Sequence, residues 1–162
     1  HCSQINDEFP VAPVDWNECM LFVSRLNQLT GLKFSLPTEA QWEYAARGGK
    51  KSRGYKYSGS NNIDDVAWYS QNSRKKTHVV GAKNPNELGI HDMNGSVAEW
   101  CNDWYASYDY FSQTNPSGPS SGTFRVNRGC GFKDGGIYHH VSKRYCTDGG
   151  NHFNSFGFRL CL

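Results

Sequence analysis

The chain has 162 residues, one domain's worth, with 37% hydrophobic residues, 14% aromatic residues and a formal net charge of +2. So small a charge sets up no field that would gather nucleic acid or an anionic membrane, and no apolar run approaches the ~18 residues of a bilayer-spanning helix. Large rings remove more surface from water than aliphatic side chains do, so a core of Trp, Tyr and Phe between polar loops is expected.

The chain opens on His1, not methionine, and shows no signal-peptide pattern, so it reads as a processed or trimmed piece. The first element is a helix opening at Asp15-Trp16-Asn17-Glu18, where the Asp caps the helix and the Glu reaches back to it. Trp16, Cys19, Phe22, Val23 and Leu26 fall on one face at helical spacing, and Gly31 supplies the stop. A second helix opens at Leu36-Pro37-Thr38 with Thr38 as cap and Gln41 as its reciprocal partner. Its inner stripe is Trp42, Ala45 and Ala46, and Gly48-Gly49 ends it.

Residues 50–95 read as ordered loop, with apolar islands at Val66-Ala67-Trp68 and His78-Val79-Val80. The basic runs Lys50-Lys51 with Arg53, and Arg74-Lys75-Lys76, read as solvated surface. Short strands are predicted at Val97–Trp100, Phe124–Val126 and Phe156–Leu162, where Phe158, Leu160 and Leu162 alternate. Two helices, a few short strands and much loop give a single α+β domain over 1–162. Cys2, Cys19, Cys101, Cys130, Cys146 and Cys161 make an even count without CxxC or zinc spacing. Cys19 suits a small buried thiol; the state of the others stays open.

Four ordered segments resemble the formylglycine-generating-enzyme (sulfatase-modifying-factor) family. They are Pro13-Val14-Asp15-Trp16 with Leu36-Pro37-Thr38-Glu39-Ala40-Gln41-Trp42-Glu43-Tyr44-Ala45-Ala46-Arg47-Gly48-Gly49, then Asn84-Pro85-Asn86 with Gly89-Ile90-His91-Asp92-Met93-Asn94-Gly95-Ser96-Val97-Ala98-Glu99-Trp100, then Arg125-Val126-Asn127-Arg128-Gly129, and finally Gly157-Phe158-Arg159-Leu160. The resemblance implies a C-type-lectin-like α+β fold whose usual first strands have no counterpart here. It also implies calcium held by Asn94, Gly95, Val97 and Glu99, although Glu99 would serve equally as a loop brace.

Catalytic members of that family hold copper through two cysteines five residues apart, and soft thiolates suit that ion. The matching positions here are Asp134 and His139, so the thiolate pair is missing; Cys130 and Cys146 lie out of register, 16 residues apart. Residues 130–156 contain no Glu, Gln, Met or Trp, and only Lys133 and Lys143 fall outside the residues encoded by pyrimidine-ending codons. That composition resembles the variable region of proteins diversified by retroelements, in which the adenines of Asn codons are randomised near the C-terminus.

The resemblance implies a non-enzymatic receptor with a protein ligand, displayed on a bacterial cell surface or outside the cell by a lipid anchor beyond this chain. The expected ligand-binding residues are Phe132, Asp134, Ile137, Tyr138, His139, His140, Tyr145, Cys146, Thr147, Asp148, Asn151, His152 and Phe153. Aromatic rings offer contact area with few rotors to freeze, and small polar residues add adaptable hydrogen bonds. Phe132 sits where the family buries an aromatic, and Phe156 and Phe158 read as core. Tyr105, Tyr108, Asp109 and Tyr110 form a second polar-aromatic loop of undetermined relation to this face. The alternatives are a metal-dependent oxidase-type enzyme of the same family and an ordinary lectin-like interaction domain.

Overall fold

The computed structural model describes residues 8–162, so Cys2 lies outside the described residues. Helix α1 spans Trp16–Thr30, and both halves of its capping box form: Asp15 accepts the Glu18 N–H at 2.7 Å and Glu18 accepts the Asp15 N–H at 3.0 Å. Gly31 ends it in the left-handed conformation, φ +70°, which costs a Cβ-free residue nothing. Helix α2 spans Glu39–Ala46 and is boxed the same way by Thr38 and Gln41. A one-turn helix, α3 (Ile63–Val66), was not foreseen; Asn62 accepts the Asp64 N–H at its start, and four residues are too few to show a period.

Two sheets follow. Strands β1 (Ala67–Trp68) and β2 (Asn94–Gly95) pair in parallel. The larger sheet runs in the order β5 (Tyr145–Thr147), β4 (Arg125–Arg128), β3 (Ala98–Trp104), β6 (Phe156–Gly157). β3 pairs antiparallel with β4 and parallel with β6, and β4 pairs antiparallel with β5, which forms an edge of the sheet. The strand expected over 156–162 shrinks to two residues plus a bridge between Ser35 and Cys161, and Leu162 is exposed despite its place in the alternation.

The core is mixed rather than mainly aromatic: Trp42 and Trp100 anchor it among smaller side chains, while rings such as Tyr108, Tyr110 and Phe111 are exposed. One cluster holds Trp42, Ala46, Met93, Cys101, Val126 and Val141, between α2 and the sheet. The other holds Cys19, Leu36 and Trp100 with Trp16, Phe156 and Phe158 against them. The indole N–H groups of these two clusters find acceptors, Trp42 on Glu99 (2.6 Å), Trp100 on the Val14 carbonyl (3.0 Å) and Trp16 on the Cys101 carbonyl (3.0 Å), whereas the buried indole N–H of Trp68 on β1 has none. Phe22 departs from its expected face, half exposed with only an edge contact to Phe158. The five described cysteines are free thiols.

Candidate functional site

Residues 130–156 run from β4 to β6 and include only a short 3-10 turn (Gly136–Tyr138) and β5. Their path is fixed mainly through main-chain atoms, by partners elsewhere in the chain. The Phe132 N–H donates to the Ser96 carbonyl, and the Asp134 carbonyl accepts the Ser70 N–H. Asn94 donates its side-chain amide to the His139 carbonyl, and the Val141 N–H donates to the Lys56 carbonyl. Arg128 donates to the Val141 carbonyl at 2.6 Å, while the Gly149 and Ser155 carbonyls accept the Trp16 and Ala98 N–H groups. Hydrogen bonds to main-chain atoms do not depend on the side chain at that position.

The side chains divide sharply. Asp134, Ile137, Tyr138, Cys146, Asp148, Asn151, His152 and Phe153 are exposed, and His140, Tyr145 and Thr147 are half-buried. Two expected ligand-binding residues are corrected. Phe132 is 4% exposed, its carbonyl accepting the Ser73 hydroxyl, and His139 is fully buried with its ring edge-on to Tyr69. Both belong to the packing under the loop. Burial holds the His139 imidazole below the usual histidine pKa.

Tyr145 donates its hydroxyl to the Tyr138 carbonyl at 3.1 Å, bracing the 3-10 turn against β5. Thr147 accepts the Asn127 amide, so Cys146, between the two, points outward on the edge strand. At the far end His152 lies 3.2 Å from Asp15 and 3.7 Å from Glu18. Among the described residues these three are the one His/Cys/Asp/Glu group within mutual ligating reach, and the helix cap already employs both carboxylates. His139, His140 and His152 do not converge, having Tyr69, Tyr57 and Asp15 as their respective neighbours.

Arg144 was absent from the expected set, yet it joins three parts of the molecule. Its guanidinium takes both oxygens of Glu39 on α2, donates to the Ala106 carbonyl at 2.7 Å, and stacks 4.5 and 4.1 Å from the Tyr105 and Tyr108 ring centres. The second aromatic loop is thereby continuous with the 130–156 face. The signal in the sequence was Glu39, a carboxylate on the inner side of α2 that must find a cation. Arg128, fully buried, is the other such cation and pairs with Glu39 and Glu43. Beside Arg144, between α2 and the 103–119 segment, opens a cleft of about 810 Å³.

Calcium at Asn94, Gly95, Val97 and Glu99 does not fit this arrangement. Glu99 accepts three bonds of 2.6 Å, two from Arg159 and one from Trp42, and the guanidinium neutralises its charge. The Asn94 side-chain amide is spent on the Ser58 N–H and the His139 carbonyl, which leaves a cation only main-chain carbonyls and a carboxylate that is already paired. A dication there would face Arg159 directly, so Glu99 is the loop brace of the alternative reading.

The positions matching the family's copper cysteines offer no thiolate either. Asp134 accepts the Gly131 N–H at 2.8 Å, and His139 Nδ1 faces the Gly135 carbonyl. Cys130 is buried with its sulfur on the Tyr138 carbonyl, and burial pushes its thiol up to about 12. A thiol held protonated is a poor metal ligand and nucleophile.

A family model, the sulfatase-modifying factor enzyme 1-like domain, matches residues 1–162. Chaperone protein LppX of Paenibacillus barcinonensis is 41% identical over 116 residues, which cover 61% of this chain and 38% of that protein. The formylglycine-generating enzyme of Streptomyces coelicolor is 32% identical over 136 residues, covering 74% of this chain and 41% of the enzyme. This chain therefore spans about two fifths of the length of these two relatives. Among solved structures, Treponema denticola variable protein 1 superposes with a TM-score of 0.89 at 30% identity, over 99% of this chain and 73% of that one. PvdO from Pseudomonas aeruginosa superposes at 0.82 with 25% identity, over 98% and 63%.

Proposed function

The chain belongs to the sulfatase-modifying-factor family, with its C-type-lectin-like α+β fold, and from that premise we propose that it is a non-enzymatic ligand-binding domain whose 130–156 segment is a retroelement-diversified surface. The observation that carries this reading is the division of labour in that segment. Its main chain is fixed by Ser96, Ser70, Asn94, Lys56, Arg128, Trp16 and Ala98, all outside the segment, while most of its side chains face solvent. Side chains can then be exchanged without disturbing the path that presents them. The likeness to a structure named as a variable protein supports the same reading.

The ligand is a protein, met by Tyr138, Ile137, Phe153 and the polar groups around them; aromatic and small polar surfaces of this kind suit protein recognition. Placement on a bacterial cell surface through a lipid anchor outside this chain is part of the proposal. The 41% identity to a protein named LppX is compatible with it.

The test is the encoding locus. It should carry a reverse-transcriptase gene and a near-copy of the segment for residues 125–162, with differences confined to template adenines. Tyr138, His140, Tyr145, Asp148 and His152 are expected among the differing positions, and Lys133 and Lys143 among the unchanged ones. A locus without a second copy overturns diversification. Oxygen consumption with copper or iron and a thiol substrate, abolished by His139→Ala, overturns the binding reading in favour of an enzyme.

A further inference from the structure

Unpaired cations flank the displayed turn on both sides. Ile137 and Tyr138, 71% and 48% exposed, project from the 3-10 turn itself. On one side the Val141 N–H donates to the Lys56 carbonyl, and the Lys143 N–H donates to the His140 carbonyl at 2.9 Å. Lys56 Nζ rests 5.2 Å from the Tyr57 ring centre, and that ring meets His140 edge-on. Burial, then the nearby Lys56 and Lys143 charges, holds the His140 imidazole below its usual pKa. On the other side the Ser73 hydroxyl donates to the Phe132 carbonyl at 2.7 Å and accepts the Lys75 N–H at 3.1 Å. Arg74-Lys75-Lys76 is thereby fastened to the segment beside Lys133, whose Nζ lies 5.3 Å from the Phe132 ring centre.

All six of these cations are exposed, and none forms an ion pair among the described residues, whereas Arg47, Arg128, Arg144 and Arg159 are all paired. Helix α3 packs near the turn, with Ile63 beside Gly136. The carboxylates of this region are already employed by the fold. Asp134 accepts the Gly131 N–H, Asp64 accepts the Tyr69 hydroxyl and the Asn72 amide, and Asp65 accepts from Ser60 and Asn62.

An independent observation comes from the sequence. Lys133 and Lys143 are the two residues of 130–156 outside the set encoded by pyrimidine-ending codons. Both are exposed lysines, and they stand on opposite sides of the turn. Neither ammonium group makes a hydrogen bond among the described residues, so the fold gives no reason to exempt them from variation.

We propose that Lys56, Arg74, Lys75, Lys76, Lys133 and Lys143 form a fixed basic rim around the variable turn, and that the protein partner meets it with an acidic surface. The proposal rests on the binding reading above and deepens it. Ile137 and Tyr138 supply the central anchors, and the residues that vary there decide which acidic surface fits. The rim acts during encounter, where complementary charge speeds association and suppresses wrong partners; salt screens it within about 8 Å at physiological strength. Apolar side chains between the cations fit a protein surface, whereas a phosphate backbone offers them no apolar contact.

The experiment titrates the full chain with capped octaglutamate, octalysine and a glycine-serine octapeptide in about 50 mM salt, following the Ile137 and Tyr138 resonances by NMR. Octaglutamate alone should bind, and about 0.3 M salt should release it. Lys56→Gln, Lys133→Gln and Lys143→Gln together should weaken it about tenfold, roughly twofold for each exposed pair, and arginine at the same positions should preserve it. Lys50→Gln, Lys51→Gln and Arg53→Gln remove equal charge from another exposed run and should change affinity by less than about twofold. Equal loss from the two triple variants overturns the proposal. So does tighter binding of a nonanucleotide of the same charge, or retention on phosphatidylserine vesicles at physiological salt. Octaglutamate without effect, beside a second genomic copy of the segment, overturns the rim alone; a locus without that copy overturns the reading beneath it.

Discussion

Arg159 grips both oxygens of Glu99, Nε to Oε2 and Nη2 to Oε1, each at 2.6 Å. The same carboxylate accepts the indole N–H of Trp42, so the last motif of the chain is tied through the central one to α2. Arg159 also donates to the His91 carbonyl, which locks the loop before β2 into the same assembly.

Removing one member of such a pair strands the other in the core. Arg159→Ala is expected to cost about 3 kcal/mol, the lower part of the range for breaking buried pairs because Arg159 is itself a quarter exposed. Urea unfolding measures it. Calcium up to millimolar concentration should leave the midpoint of the parent protein unchanged, since Glu99 is already satisfied; a calcium-dependent rise contradicts the brace.

Serine at Tyr138, His140, Tyr145 and His152 together should be tolerated, Tyr138 and His152 within about 0.5 kcal/mol each as for ordinary surface positions and the half-buried His140 and Tyr145 at about 1 kcal/mol each for a lost ring contact and a lost hydrogen bond. Trp42→Ala, by contrast, removes a 1%-exposed indole from the centre of a cluster and should cost about 3–5 kcal/mol. Thermal unfolding of the two variants side by side makes the comparison. If the fourfold variant unfolds as readily as Trp42→Ala, the segment is core.

The helices were legible because their signals are local: the Asp15–Glu18 and Thr38–Gln41 boxes are each three residues wide. The exposure of Ile137, Tyr138, Cys146, Asp148, Asn151, His152 and Phe153 agrees with what composition suggested for residues 130–156. The burial of His139 was not legible in it. It shares the composition of its exposed neighbours, and only the 3-10 turn at Gly136–Tyr138 rotates it inward while Tyr138 faces out. Arg144 was missed for a similar reason, since its partners Glu39 and Ala106 lie 105 and 38 residues away. The sheet edge at β5 is likewise set by pairing with β4 rather than by any alternation in Tyr145-Cys146-Thr147.

Acid should destabilise the protein in part through His139. Burial lowers its folded pKa below the 6.5 of a free imidazole, so below that value the unfolded chain binds the proton more readily. Its contribution is therefore complete above about pH 6.5 and is lost as pH falls through the folded value. His140 acts in the same direction, through burial and then Lys56 and Lys143. Unfolding free energies from pH 7.5 to about pH 5 should decline less steeply in His139→Asn than in the parent. Identical slopes contradict a buried neutral imidazole.

The described thiols should fall into distinct classes toward a disulfide reagent. Cys146, exposed on the edge strand, should react within the folded protein, and Cys146→Ser should remove that phase. Cys19, Cys101 and Cys130 are buried with their thiols pushed up, Cys19 and Cys130 to about 12, so they should react only as the chain unfolds. Prompt reaction of Cys130 in the folded protein contradicts the packing beneath Tyr138.

The most direct measurement of the central claim is selection from a display library of the full chain, randomised at Tyr138, His140, Tyr145, Asp148, His152 and Phe153 with pyrimidine-ending codons. The account predicts that most clones stay folded, judged by protease resistance, and that binders to unrelated proteins emerge with differing residues at these six positions on an unchanged framework. A library that is mostly unfolded, or one that yields binders only through changes outside 130–156, contradicts it.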